Sequence, residues 1–188
     1  MAELNDLLTF LTGAGVIFTG IGVIVSIDSM KDQIKHVRTG WQIDLLLKFE
    51  ERFDGNRMIQ ERLTVSKFLL TYRELEVNDP QWSTVDNLVD FFQSIGTFVE
   101  ENIMEIKFVS NFFGHWMLHY FKAIEPYILH VRNNAPGTWQ QALNLYAQVK
   151  SYDLKHGSLK GDNISREELE KFLQWEMRMD SSHSQIST

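Results

Sequence analysis

A chain of 188 residues without a single cysteine can hold no disulfide framework and perform no thiolate chemistry. Its 25 acidic residues against 18 basic ones leave a formal net charge of −7, which argues against the concentrated basic surface that a nucleic-acid backbone requires. The length suits one membrane span plus one further domain, and about 160 residues are enough to bury a core.

The first element is Leu7–Ile27, LLTFLTGAGVIFTGIGVIVSI, which carries no charged side chain over 21 positions. As a helix it would be about 31 Å long, close to the ~30 Å hydrocarbon thickness of a bilayer. The leading MAELND is acidic and no A-x-A-like site follows, so a cleavable signal peptide fits poorly. A buried core helix is the competing reading, but such helices seldom stay free of charge for this long. Gly13, Gly15, Gly20 and Gly22 would each cost a helix in water about 1 kcal/mol relative to Ala, whereas Gly is common in membrane helices. Residues 1–27 are therefore expected to form a single transmembrane anchor. Lys31, Lys35 and Arg38 follow it and no Lys or Arg precedes it, so the positive-inside rule puts the N-terminus outside and the C-terminal domain in the cytoplasm.

Within the span, Thr12, Gly15, Thr19, Gly22 and Ser26 succeed one another at spacings of three, four, three and four. That is the seam period of a left-handed helix pair. Small residues let membrane helices approach closely, so the stripe supports self-association or pairing with another membrane protein. Equally, Gly and Thr are frequent in such helices without any seam.

Residues 28–180 read as a helical bundle and 181–188, SSHSQIST, as a disordered tail. A first helix over 28–53 places Ile34, Val37, Trp41 and Leu45 at helical spacing, with Gly40 as a possible bend, and stops at Asp54-Gly55-Asn56. A second, from Arg57 to Leu75, lines one side with Ile59, Leu63, Ser66, Leu70 and Arg73; Arg57, Arg62, Lys67 and Arg73 punctuate its polar face, where they read as ordinary solvated charges rather than as a site for an anion. A third starts after Pro80 with Ser83 or Thr84 as cap and Asp86 in the first turn, and Gly96 inside it marks close approach of another helix. The fourth, Glu105 to Asn133, is apolar round most of its surface, and Pro126 should kink or break it at Glu125. A fifth covers Thr138 to Lys155 and shows Trp139, Leu143, Tyr146 and Val149 as its apolar face, followed by a loop at Gly157–Gly161. Ser165 with Glu168 three residues on is a capping box that opens the last helix. No alternating strand pattern occurs, so the expected fold is all-α: a membrane helix followed by a cytoplasmic helical bundle.

The order of pieces carries a resemblance. The span is followed by Trp41-x3-Leu45, an Arg-bearing helix, the run Asn87-Leu88-Val89-Asp90-Phe91-Phe92-Gln93-Ser94-Ile95-Gly96, and a long helix with Phe113, Tyr120, Pro126-Tyr127-Ile128 and Arg132. Over roughly residues 7–150 this resembles the bacterial domain-of-unknown-function family number 4760. The resemblance implies a membrane-anchored helical domain in a bacterial inner membrane, and it gives no residue a catalytic role.

Chemistry has one local candidate. His115 and His119 lie four apart on one helix face, and His-x3-His can chelate a metal. The HExxH signature is absent, since Trp116 follows His115, and Asp90, Glu101 and Glu125 could serve only if the fold gathers them. The bland alternative is that Asn111, His115, His119, Lys122 and His130 trace the polar stripe of a mostly buried helix. Trp82, Trp116, Trp139 and Trp175 read as interhelix filling. No phosphate-binding glycine loop and no G-x-S-x-G elbow occurs. The expectation is a non-enzymatic, membrane-anchored interaction or scaffold protein. It would require no cofactor and have the lipid bilayer and a second copy or another membrane protein as partners. The alternative is a metal- or small-ligand-binding sensor or hydrolase built around His115 and His119.

Overall fold

Seven helices account for nearly all of what the computed structural model describes, namely residues 30, 33–71, 79–156 and 164–183. They are α1 over 33–53, α2 Asn56–Thr71, α3 Trp82–Glu100, α4 Ile106–Ala123, α5 Glu125–Asn134, α6 Gln140–His156 and α7 Arg166–His183. Among the described residues there is no strand and no helix long and apolar enough to cross a membrane. The expected span Leu7–Ile27 lies outside the described residues, as do the expected loop Gly157–Gly161 and the last five positions of the expected tail. Helix α7 runs on to His183, so it enters the stretch that the sequence assigned to that tail.

Contacts divide the chain into two units, Met1–Asp44 and Leu45–Thr188, with the boundary inside α1. In the first unit the described residues are helical on both sides of Gly40, and Met30, Ile34, Val37 and Trp41 stand exposed. The second unit is a helical bundle. Within it α6 packs on α3 and α4, α2 packs on α3, and α7 lies on α2.

Aromatic residues fill its centre. Phe53, from the end of α1, meets Phe91 at 5.2 Å between ring centroids, Phe113 at 5.4 Å and Trp116 at 5.3 Å. Val85, Phe91, Phe92 and Ile95 of α3 are fully buried, as are Val109, Met117 and Tyr120 of α4. Trp82 stacks on Tyr127 at 3.9 Å, and Trp139 is buried beside them, so these tryptophans do serve as filling between helices.

The helix ends follow local chemistry. Asn102 closes α3 in the left-handed region at φ 55°, while the Ile103 N–H returns to the Phe98 carbonyl at 2.9 Å and the Asn102 N–H to Val99 at 3.0 Å. That pair of bonds is a Schellman motif, in which Asn substitutes for the usual Gly. The long apolar helix is broken into α4 and α5 at Ile124, one residue before the expected point, and Pro126 sits in the first turn of α5 where its missing N–H costs nothing. Ser165 and Glu168 form the expected capping box, with reciprocal bonds of 2.9 and 3.2 Å.

Three expectations need correction. Neither Ser83 nor Thr84 caps α3; the Asp79 carboxylate accepts the Gln81 N–H at 2.9 Å, and the Ser83 hydroxyl donates back to Pro80. An Asx turn thus does the work of a cap. Asp86 is spent on Tyr127 rather than on the first turn. On α6 the buried face is Ala142, Leu145, Val149 and Asp153; Trp139 and Val149 are buried as expected, but Leu143 and Tyr146 are only half-buried.

Gly96 is the closest approach of two helices. A Cβ placed there would lie 2.4 Å from the Gln141 carbonyl oxygen, so only Gly lets α6 sit on α3. The Gln93 side chain spans the same crossing, hydrogen-bonding Gln141 and accepting the Ala142 N–H at 2.8 Å. Gly96→Ala is expected to cost about 1–3 kcal/mol by overpacking. Gly40→Ala, with nothing within 4 Å of the new methyl, should be neutral or slightly stabilising. Urea titrations of the two variants beside the parent check the contrast.

Candidate functional site

The densest polar cluster is buried. Helix α2 presents Arg62 and Ser66 one turn apart, α4 presents Trp116 and Tyr120 one turn apart, and α7 contributes Glu176. The Arg62 and Glu176 side chains are 7% and 2% exposed, with Arg62 Nε 3.1 Å from Glu176 Oε2. Glu176 Oε2 also accepts the Tyr120 hydroxyl at 2.7 Å, and Oε1 accepts the Trp116 indole N–H at 2.9 Å. Ser66 meets the Tyr120 oxygen at 3.3 Å. The Arg62 guanidinium lies 4.1 Å from the centre of the Phe53 ring, donates to the Phe53 carbonyl and reaches Asp54 at 3.6 Å. Every member is thus turned toward another member.

This cluster corrects the reading of Arg62 as a solvated charge. A cation at that position would be untenable in the core by itself; Glu176 and the Phe53 carbonyl make it tenable. The signal was present in the sequence. Glu176 lies in register with Phe172 and Leu173 on the apolar face of α7, where a charge demands a partner.

Burial, then the charge of Glu176, pushes the Tyr120 phenol well above its ordinary range. It therefore stays protonated and donates; it is no base at neutral pH.

His115 and His119 come together as expected. Their ring centroids are 4.3 Å apart on α4, and Phe172 of α7 stacks on His119 at 4.6 Å. His119 is not on a solvent stripe: that ring covers it, and it is buried while His115 is exposed. His119 Nδ1 lies 2.7 Å from the His115 carbonyl, which can only accept, so Nδ1 donates this bond. Partial burial, then the neighbouring His119, lowers the affinity of His115 for a proton. The carboxylates do not join them. Asp90 accepts the Trp139 indole N–H at 2.9 Å, Glu125 pairs with Lys122 at 2.7 Å, and Glu101 is exposed past the end of α3. Among the described residues no group of three or more His, Cys, Asp or Glu is placed to hold a metal ion. Two imidazoles one turn apart can chelate a metal, but lone pairs spent on the metal cannot also serve as a general base.

An open cleft of about 240 Å³ lies between the α1–α2 turn and α3, lined by Arg52, Arg57, Met58, Glu61, Asn87 and Asp90. Its charges largely answer one another: Arg57 pairs with Glu61 at 3.0 Å, and Asn87 donates to the same carboxylate at 3.4 Å.

A family model described as a domain of unknown function, DUF4760, matches residues 14–149. No curated protein and no solved structure matches the chain. Arg62, Trp116 and Tyr120 fall inside the matched residues and Glu176 falls beyond them.

Removing Glu176 strands a buried guanidinium and two donors. Glu176→Ala is expected to cost about 3–5 kcal/mol, and adding Arg62→Met should cost less than the two single changes summed. Urea unfolding of the four-member cycle measures this. A second outcome concerns alkali. Burial, then Asp86, raises Tyr127, as burial, then Glu176, raises Tyr120. Both phenols hold protons in the fold that the unfolded chain releases near its ordinary pKa of about 10. That stability is intact below about pH 10 and is lost as pH rises further. Thermal melts should therefore fall steeply above that pH, and the slope should flatten in Tyr120→Phe/Tyr127→Phe.

Proposed function

The chain belongs to the DUF4760 family, a domain of unknown function, and from that premise we propose that it is a membrane-anchored, non-enzymatic interaction module. Leu7–Ile27 is its anchor in a bacterial inner membrane, the N-terminus faces outward, and the bundle stands in the cytoplasm. Copies associate through the stripe Thr12, Gly15, Thr19, Gly22 and Ser26 and present the bundle to a partner.

The observation that carries the non-enzymatic part is the Arg62–Glu176–Tyr120–Trp116 cluster. Charge is deeply buried there in a pair, and the cluster's hydrogen-bonding capacity is directed inward, at other helices. A catalytic carboxylate needs an unspent face toward substrate. What supports the anchored part is the uncharged stretch itself and the cations that follow it.

Fractionation tests this. The full chain should remain with membranes through an alkaline carbonate wash and leave only with detergent. Protease should reach the bundle only from the cytoplasmic side. Gly15→Leu/Gly22→Leu should shift the detergent-solubilised mass toward monomer. A chain recovered in the soluble fraction overturns the anchor, and an unchanged mass overturns association through the span.

A further inference from the structure

The cleft between the α1–α2 turn and α3 holds two charges of opposite sign that the fold leaves unpaired. Arg57 and Glu61 form one ion pair across its lining, and Asn87 donates to the same carboxylate. Arg52 and Asp90 remain. The Arg52 guanidinium lies 5.5 Å from the centre of the buried Phe91 ring, and no carboxylate pairs with it among the described residues. Asp90 accepts the Trp139 indole N–H on Oδ1, while Oδ2 has no hydrogen-bond partner among the described residues.

Both groups are held in place. A guanidinium resting against an aromatic ring keeps its N–H donors for a partner of its own. The indole that fixes Asp90 belongs to Trp139, whose φ of 55° is one that a bulky side chain rarely adopts. The turn before it is braced by Arg132, which donates to the Pro136 carbonyl at 2.9 and 3.1 Å and to Gln140 at 3.0 Å. Strain of this kind persists only where the surroundings over-determine it, and it gathers at binding sites.

We propose that this cleft binds a small zwitterion of the α-amino acid class, with its carboxylate on Arg52 and its ammonium on Asp90. Charge balance chooses the class. A simple anion bound to Arg52 would leave Asp90 unanswered, and a simple cation on Asp90 would leave Arg52 so; a ligand carrying both signs answers both. One guanidinium fork matches one carboxylate. The Asn87 amide donates its nitrogen to Glu61, and its oxygen is a further acceptor for the ammonium. Met58, nearly buried, supplies an apolar part of the wall, and a volume of about 240 Å³ lies below that of a drug-sized pocket, which suits a ligand this small. The proposal goes beyond the interaction-module reading and stands without the membrane anchor, because every lining residue belongs to the second unit.

Calorimetric titration of the full-length chain in mild detergent with the free amino acids tests it. At least one should bind saturably. Its methyl ester, which lacks the carboxylate, and its N-acetyl derivative, which lacks the ammonium, should each bind at least about tenfold more weakly. Arg52→Gln should bring acid and ester to equal affinity and keep the preference for the free amine; Asp90→Asn should do the reverse. Both positions are exposed, and Asn retains an acceptor for the Trp139 indole, so both variants should melt with the parent. The proposal is overturned if no amino acid binds, or if the ester or the N-acetyl derivative binds as well as the amino acid; neither result depends on a variant. Discrimination that survives both substitutions puts the ligand elsewhere and overturns it too. So does binding of ethanolamine phosphate where no amino acid binds, which would make the cleft a site for a lipid headgroup.

Discussion

A carboxylate taken out of water must find its donors or leave the core, and the bundle of this protein is arranged so that Glu176 finds them. Its two oxygens engage an indole, a phenol and a guanidinium that come from α4 and α2. None of the three could be left behind alone without a penalty of its own. Phe53 extends the arrangement, since its ring carries the guanidinium and also packs against Phe91, Phe113 and Trp116. Charge and aromatic packing therefore converge on the end of α1, and what fixes α7 also fixes the turn between α1 and α2.

Much of the fold was legible because its determinants are local. Pro126 breaks its helix through a missing N–H and a ring clash, and Ser165 with Glu168 opens α7 through two short bonds between residues three apart. Gly96 was legible for a related reason: a residue without Cβ in an apolar helix signals a neighbour's backbone, and that backbone is Gln141. The cap of α3 was misread because Asp79 offers the same oxygen chemistry earlier in the chain.

The candidate site was less legible because its determinants are remote. Arg62 looks solvated on any helical wheel, and only Glu176, on the last helix, makes its burial possible. The same limit applies to His119, whose cover is Phe172 of α7 rather than anything on α4. Periodicity identifies an apolar stripe but not its fate. Residues 34, 37 and 41 have the same spacing pattern as 46, 49 and 53; the first set faces solvent and the second the core.

The polar cluster also bears on registry. Apolar stripes are forgiving, because Phe172 and Leu173 could settle almost as well one turn along the groove they occupy. A shift of α7 by one turn, however, would carry the Glu176 carboxylate about 5.4 Å from its donors. Bonds of 2.7 and 2.9 Å would be broken together with the ion pair. Of the positions one turn away, Phe172 brings no acceptor and Asp180 is a methylene shorter than Glu. The hydrophobic faces bring α7 down onto the bundle, and a single charge serves as the index mark that says where along α2 and α4 it must stop.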